Sequence, residues 1–202
     1  ALPSVRRELT LLRPGWSLAA GSTDARALDE LKCKESVKDG DNKTNYVIKP
    51  ESGKSGLIDV ASGKNVYLGG VISGDGMNLA KSGAGDLFLN GTNTYTGYTL
   101  IQGGRILVKS DSALGAADSE GKFGSVYLYG GGLRALTNDI TTKRDILLLP
   151  SGTTENTLEA AIGHTFPIDG KGSGSGGFSK DGPATVLLTN TANDLTGRIV
   201  FR

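Results

Sequence analysis

The chain holds one histidine and one cysteine in 202 residues. Chemistry that needs a paired imidazole or thiol therefore has few places to sit. His164 lies in the turn-like run Gly163-His164-Thr165-Phe166-Pro167. A Ser-His-Asp relay could recruit it, but neither a G-x-S-x-G elbow nor a GTSMA-type nucleophile segment is present, so it reads as a turn or surface histidine. Cys33 stands in a charged stretch with no histidine nearby to activate it, and a lone cysteine forms no intrachain disulfide. One His and one Cys do not build the usual protein-only zinc site. Asp39-Gly40-Asp41-Asn42 resembles the opening of a calcium loop but lacks the glutamate that would close it. Gly53-Lys54-Ser55 would need a glycine at position 48 to make a phosphate loop, and Ile48 stands there; Gly121-Lys122 runs into Phe123. The glycine-rich run 170–177 lacks the strand-then-helix setting of a dinucleotide loop. The expectation is a chain that is not an enzyme, with no cofactor, no metal and no small-molecule substrate.

Surface chemistry is the better candidate. The net charge is +1 and the basic residues are scattered, so neither nucleic acid nor an anionic membrane surface is implied. Hydrophobic residues make up 37% and aromatics 6%, while 31 residues are glycine. That balance suits many tight turns around a narrow core. Tyr67, Phe88, Tyr127 and Tyr129 fall on outward positions if the neighbouring Leu and Val residues point inward. Stacked on successive turns they would make a ridge for a partner. The alternative is cross-strand packing that shields the surface beneath.

These residues need strands to position them, and the pattern supplies them. Residues 1–45 are expected to be helical or irregular, a cap or linker. Leu2, Val5, Leu9 and Leu12 follow helical spacing up to Pro14-Gly15, a second short helix fits about Thr23 to Leu31, and 32–45 reads as a polar loop. From residue 46 to 202 short apolar runs alternate with Gly, Ser, Thr, Asn and Asp. One series centres on Val47, Tyr67, Phe88, Leu107, Tyr127, Leu147, Pro167 and Leu187. A second interleaves: Ile58, Leu79, Leu100, Leu114, Arg134, Leu158, Phe178 and Ile199. Both step by about 20 residues, a period that suits a β-solenoid rather than a propeller blade. Alternation within each run stacks Leu87 and Leu89, Val126 and Leu128, and Val186 and Leu188 into one interior. Residues 81–97 also align with 180–197, an offset that equals five turns of about 20. The expected fold is all-β: a right-handed parallel β-helix of about eight rungs, a rod about 38 Å long. No apolar run reaches the roughly 18 to 20 residues of a membrane-spanning helix. The end at Phe201-Arg202, just after an apolar run, reads as a cut in something longer, and any targeting segment before Ala1 is expected either to have been removed or never to have been part of this sequence.

Residues 71–108 resemble the passenger-associated transport repeat of bacterial autotransporters. The matching features are Ile72-Ser73-Gly74, Lys81-Ser82-Gly83-Ala84-Gly85, Leu87 and Leu89 running on to Asn93, Thr94-Tyr95-Thr96-Gly97, and Gly103-Gly104 before Arg105-Ile106-Leu107-Val108. Residues 130–149 resemble the segment that follows such a repeat, and 168–202 a second, degraded copy. Met77-Asn78, Asp86 and Pro183-Ala184 depart from the pattern. The resemblance implies a passenger secreted through the periplasm to the bacterial cell surface with its own C-terminal outer-membrane barrel. It also implies that the repeat serves export. Each rung then offers a strand edge on which the next forms. A scaffold acting as adhesin or virulence effector on a host cell-surface or extracellular-matrix protein is the expected role. The alternative is the stalk of a subtilase-type serine protease autotransporter, since Gly15-Trp16, Asp24-Ala25 and Ala27-Leu28 resemble the end of such a catalytic domain. Tailspikes and polysaccharide lyases also use β-helices, but the column of lysines, arginines or acidic residues that lyases place along one face is not seen here at a 20-residue period.

Overall fold

A computed structural model describes residues 16–18, 30–33, 37–38, 56–117, 124–137, 140–152 and 154–202, with side chains from residue 56 onward. The first sheet runs β1 (Trp16–Leu18), β2 (Glu30–Cys33), β4 (Gly56–Val60), β6 (Leu79–Ser82), β8 (Thr99–Ile101), β10 (Val126–Leu128), β12 (Ile146–Leu148), β15 (Gly172–Gly174) and β18 (Asp194–Leu195). The second runs β3 (Val37–Lys38), β5 (Asn65–Leu68), β7 (Asp86–Leu89), β9 (Arg105–Val108), β11 (Gly132–Ala135), β13 (Asn156–Ala160), β16 (Phe178–Lys180) and β19 (Ile199–Phe201). On the third side β14 (Thr165–Ile168) pairs with β17 (Thr185–Leu188). Apart from the antiparallel β1–β2 pair, all of these strand pairings are parallel. The chain is a parallel β-solenoid of about 7 turns with about 21 residues per turn.

The period-2 alternation builds its interior. On the first sheet Ile58, Lys81, Ile101, Leu128 and Leu148 stand in one register column. On the second, Val66, Leu87, Ile106, Leu133 and Leu158 do the same. All ten are buried. Burying an aliphatic side chain of this size contributes roughly 1.5–3 kcal/mol, so these columns are the main source of cohesion in a rod with a narrow core. Where the third side lacks strands, the ladder continues through single bonds. The Thr94 N–H donates to the Ile72 carbonyl at 2.8 Å, and the Asn93 N–H to that of Ser112 at 2.9 Å.

The even 20-residue step expected along the chain is broken in several places, and this changes the rung count; Leu133 and Leu158 are 25 positions apart, and Leu147 and Ser173 are 26. Ala80 pairs with Leu100, but Leu100 pairs with Tyr127, 27 positions further on. The surplus residues are spent after β9, where Asp111–Leu114 form a 3-10 turn instead of a strand. Beyond it the expected series shift from face to face. Tyr67, Phe88 and Leu107 are on the second sheet, Tyr127 and Leu147 on the first, and Pro167 and Leu187 on the third side. The repeat of about 100 residues is corrected for the same reason. Lys81 lies on β6 of the first sheet and Lys180 on β16 of the second. The two copies are thus four turns and one face apart, not five turns.

Strands also reach into the segment expected to be helical or looped. Glu30–Cys33 pairs in register with Leu57 to Val60, and Val37–Lys38 with Val66 and Tyr67. Helical spacing is a weak preference there, and the growing ladder overrides it. The readings of Leu2 to Leu12, Thr23 to Asp29, Asp39 to Asn42, Val47, Gly53 to Ser55 and Gly121 to Phe123 lie outside the described residues.

Candidate functional site

Most of the transport-repeat residues are buried, and they follow one turn of the rod from the first sheet across the second to the third side. Lys81 is fully buried, between Ile58 and Ile101 in register. Its Nζ donates to the carbonyls of Ser82 at 2.5 Å, Gly83 at 2.8 Å and Gly103 at 3.1 Å. Gly83 turns the chain with φ +73°, and a Cβ on Gly85 would overlap the Ala61 carbonyl oxygen. Leu87 and Leu89 fill the interior of β7. Asn93 is buried and spans three rungs: its Oδ1 accepts the Ile72 N–H at 2.8 Å, and its Nδ2 donates to the Ala113 carbonyl at 2.5 Å. Tyr95 is buried, and its hydroxyl shares a 2.6 Å hydrogen bond with Thr99. Burial pushes its pKa up, partly opposed by the Thr99 bond. A Cβ on Gly97 would overlap the carbonyl of Met77. These groups satisfy the backbone where the ladder turns, which is what a thin solenoid needs at each corner.

Sequence reasoning missed the residue that holds the long turn. Arg144 is buried, and its guanidinium donates to Asp111 Oδ1 at 2.9 Å and to the carbonyls of Gly115 at 2.8 Å, Gly124 at 3.1 Å and Asp111 at 3.1 Å. The signal was available. Ile140, Thr142, Arg144, Ile146 and Leu148 alternate as buried residues, so the period that marks Ile146 as interior marks Arg144 too. Asn156 was missed as well. It accepts from the Gly130 N–H at 2.7 Å and donates to the Gly177 carbonyl at 3.0 Å, bridging three rungs as Asn93 does.

The aromatic residues expected to form one ridge occupy two faces. Tyr67 and Phe88 stack on the second sheet, with centroids 4.2 Å apart at 17°. Beside them Arg105 grips Asp86 through two bonds of 3.0 and 2.7 Å and reaches Glu159 at 3.3 Å. The Arg105 pKa is raised chiefly by its hydrogen bond to Asp86. Arg105 passes Gly132 to reach Glu159; a Cβ there would crowd both Arg105 and Thr157. Tyr127 lies on the first sheet, stacked on Tyr98 at 4.7 Å and 22°. Tyr98 was not anticipated, although it stands two positions before outward Leu100. Tyr129 is exposed at the adjoining corner. Leu100, Tyr127 and Leu147 share one outward register row, with Leu149 two positions beyond Leu147. The result is a patch of aromatic and aliphatic groups, with exposed Asp145 at its edge.

His164 sits at a corner where its N–H donates to the Ala161 carbonyl at 2.9 Å, and its Nδ1 is buried without a hydrogen-bond partner. Cys33 ends strand β2. Among the described residues no group of three or more His, Cys, Asp or Glu side chains gathers as a metal site would require.

A family profile described as passenger-associated-transport-repeat matches residues 79–108, the run from β6 to the end of β9. The chain is also similar to the Adhesin BmaC autotransporter of Brucella suis biovar 1 (strain 1330), with 39% identity over 153 residues. The match covers 72% of this chain and 4% of that protein, so the chain corresponds to a small part of the length of this relative. No solved structure matches the chain.

Proposed function

We propose that this chain, a segment of an autotransporter passenger secreted to the bacterial cell surface, acts as a non-catalytic adhesive shaft that meets host proteins through the outward face of its first sheet. The patch formed by Tyr98, Leu100, Tyr127, Tyr129, Leu147 and Leu149 carries this reading. Outward positions of a solvated sheet are ordinarily polar, whereas here three consecutive rungs present tyrosine and leucine. Uncharged aromatic surface of this kind suits the buried centre of a protein–protein contact. The similar protein is named an adhesin, and a host cell-surface or extracellular-matrix protein is the partner this chemistry fits. The Tyr67–Phe88 stack on the other sheet, enclosed by the Asp86–Arg105–Glu159 network, serves as packing.

The test uses the full-length protein displayed on bacteria. Tyr98→Ser combined with Tyr127→Ser should lower attachment to host cells and to matrix-coated surfaces about tenfold, as expected for losing central interface aromatics. Surface amount should stay unchanged. The same exchange at Tyr67 should leave attachment intact. Undiminished attachment of the Tyr98/Tyr127 variant at equal surface amount would remove the patch from the adhesive role.

A further inference from the structure

We propose that Lys81 is an inter-rung latch that makes the β6–β7 turn and the β8–β9 turn form together rather than one after the other. The register places this lysine in a column that is otherwise aliphatic, with Ile58 below it and Ile101 above. A cation enclosed there is unfavourable unless its donors are met. The acceptors Ser82 and Gly83 belong to its own corner, and Gly103 belongs to the corner of the next rung. Ile101, the register neighbour of Lys81, belongs to that next rung as well. A β6–β7 turn on its own would therefore lack the Gly103 bond and hold the lysine in a half-built interior. Arrival of residues 99–108 completes the bonding and the burial in one step.

The glycines make this closure possible. Gly83 adopts φ +73° to turn its carbonyl onto Lys81, and Gly104 adopts φ +56° where a Cβ would overlap the Gly85 carbonyl. A Cβ on Gly103 would stand 3.1 Å from the Gly83 carbonyl oxygen. The upper corner can settle on the lower one only because both are bare backbone, and settling brings the Gly103 carbonyl to Lys81. In a solenoid whose stability is a sum of rung and interface terms, Lys81 weakens the single rung and strengthens the pair. Addition of rungs at the cell surface would then proceed here in a double step that is hard to reverse halfway.

Hydrogen-exchange mass spectrometry on the intact chain tests this. In the native protein, peptides from 79–89 and 99–108 should open in one correlated event. In Lys81→Met, which keeps the volume and removes the charge, the two should open separately. Protection of 99–108 should fall about tenfold, the scale of a lost charged hydrogen bond, with 56–68 unaffected. Lys180→Met should leave the 79–108 unit intact. Independent opening of the two segments in the native protein overturns the latch, and that measurement decides even where Lys81→Met does not fold. Correlated opening that survives in Lys81→Met, or is lost equally in Lys180→Met, overturns it too.

Discussion

Arg144 donates to Asp111 across 33 positions of sequence, at 2.9 Å, and this ion pair braces the connection between β9 and β10. Its other donors meet the carbonyls of Gly115 and Gly124. Gly124 has φ +74°, and any Cβ there would overlap the guanidinium. Arg144→Met should therefore cost about 3 kcal/mol, since several buried acceptors lose their donor together. Asp111→Asn keeps an acceptor and should cost about 1 kcal/mol. Urea unfolding followed by circular dichroism measures both, and equal losses would show that the carbonyl bonds contribute little.

Asn93 supports the third side in a way few side chains could. It must accept from Ile72 and donate to Ala113 at once, which an amide does and a carboxylate does not. Asn93→Ala leaves a buried N–H and a buried carbonyl without partners, a loss of about 2–4 kcal/mol. Asn93→Asp should be at least as harmful, because it buries a charge and loses the donor. Thermal unfolding of the two variants would separate this reading from simple packing, under which Asp would be tolerated better than Ala.

The strands were legible because alternation and turn residues are local signals, and Leu87, Leu89, Val126 and Leu128 are interior as their spacing implies. Face assignment was not legible past Leu107. A solenoid's faces depend on the cumulative length of every preceding turn, and the 3-10 turn at Asp111–Leu114 adds residues without adding a strand. Hence Tyr127 reads as a continuation of Phe88 and yet stands on the other sheet. Lys81 and Lys180 teach the converse. Their segments align closely and make the same kind of glycine corner, φ +73° at Gly83 and +74° at Gly182, although the corners join different pairs of faces. The repeat encodes a bend followed by a strand, not a position around the rod. The outer aromatic patch was only half visible. Tyr127 and Tyr129 could be named from alternation, whereas the Tyr98 stack depends on which rung lies next to Tyr127.

Two glycines separate torsional strain from steric exclusion. Gly63 has φ +70° with open space around its Cβ position, while Gly85 has no left-handed backbone but faces the Ala61 and Lys64 carbonyls. Gly63→Ala should cost about 1–2 kcal/mol, the left-handed penalty of an L-residue. Gly85→Ala must push two backbones apart and should cost about 3 kcal/mol or more. Denaturant midpoints of the two variants check the order. A larger loss at Gly63 would mean that rung spacing yields more easily than a close-packed interior allows.

Tyr95 links the buried repeat to pH. Its pKa is raised by burial, so the folded state keeps the hydroxyl protonated at a pH where the unfolded chain, with an ordinary value of about 10, has released the proton. The stability tied to the neutral hydroxyl is fully present below about pH 10 and is lost as pH rises towards the folded value. Tyr95→Phe removes that titration together with the bond to Thr99. It should be less stable than the native chain by about 1 kcal/mol at pH 8, and the gap should narrow as pH climbs past about 10. Urea unfolding of both proteins from pH 8 to 11 would follow the gap. Because Lys and the other Tyr residues titrate in both proteins, their contributions cancel in the difference. A gap that stays constant would mean that the Tyr95 hydroxyl reaches water in the folded rod.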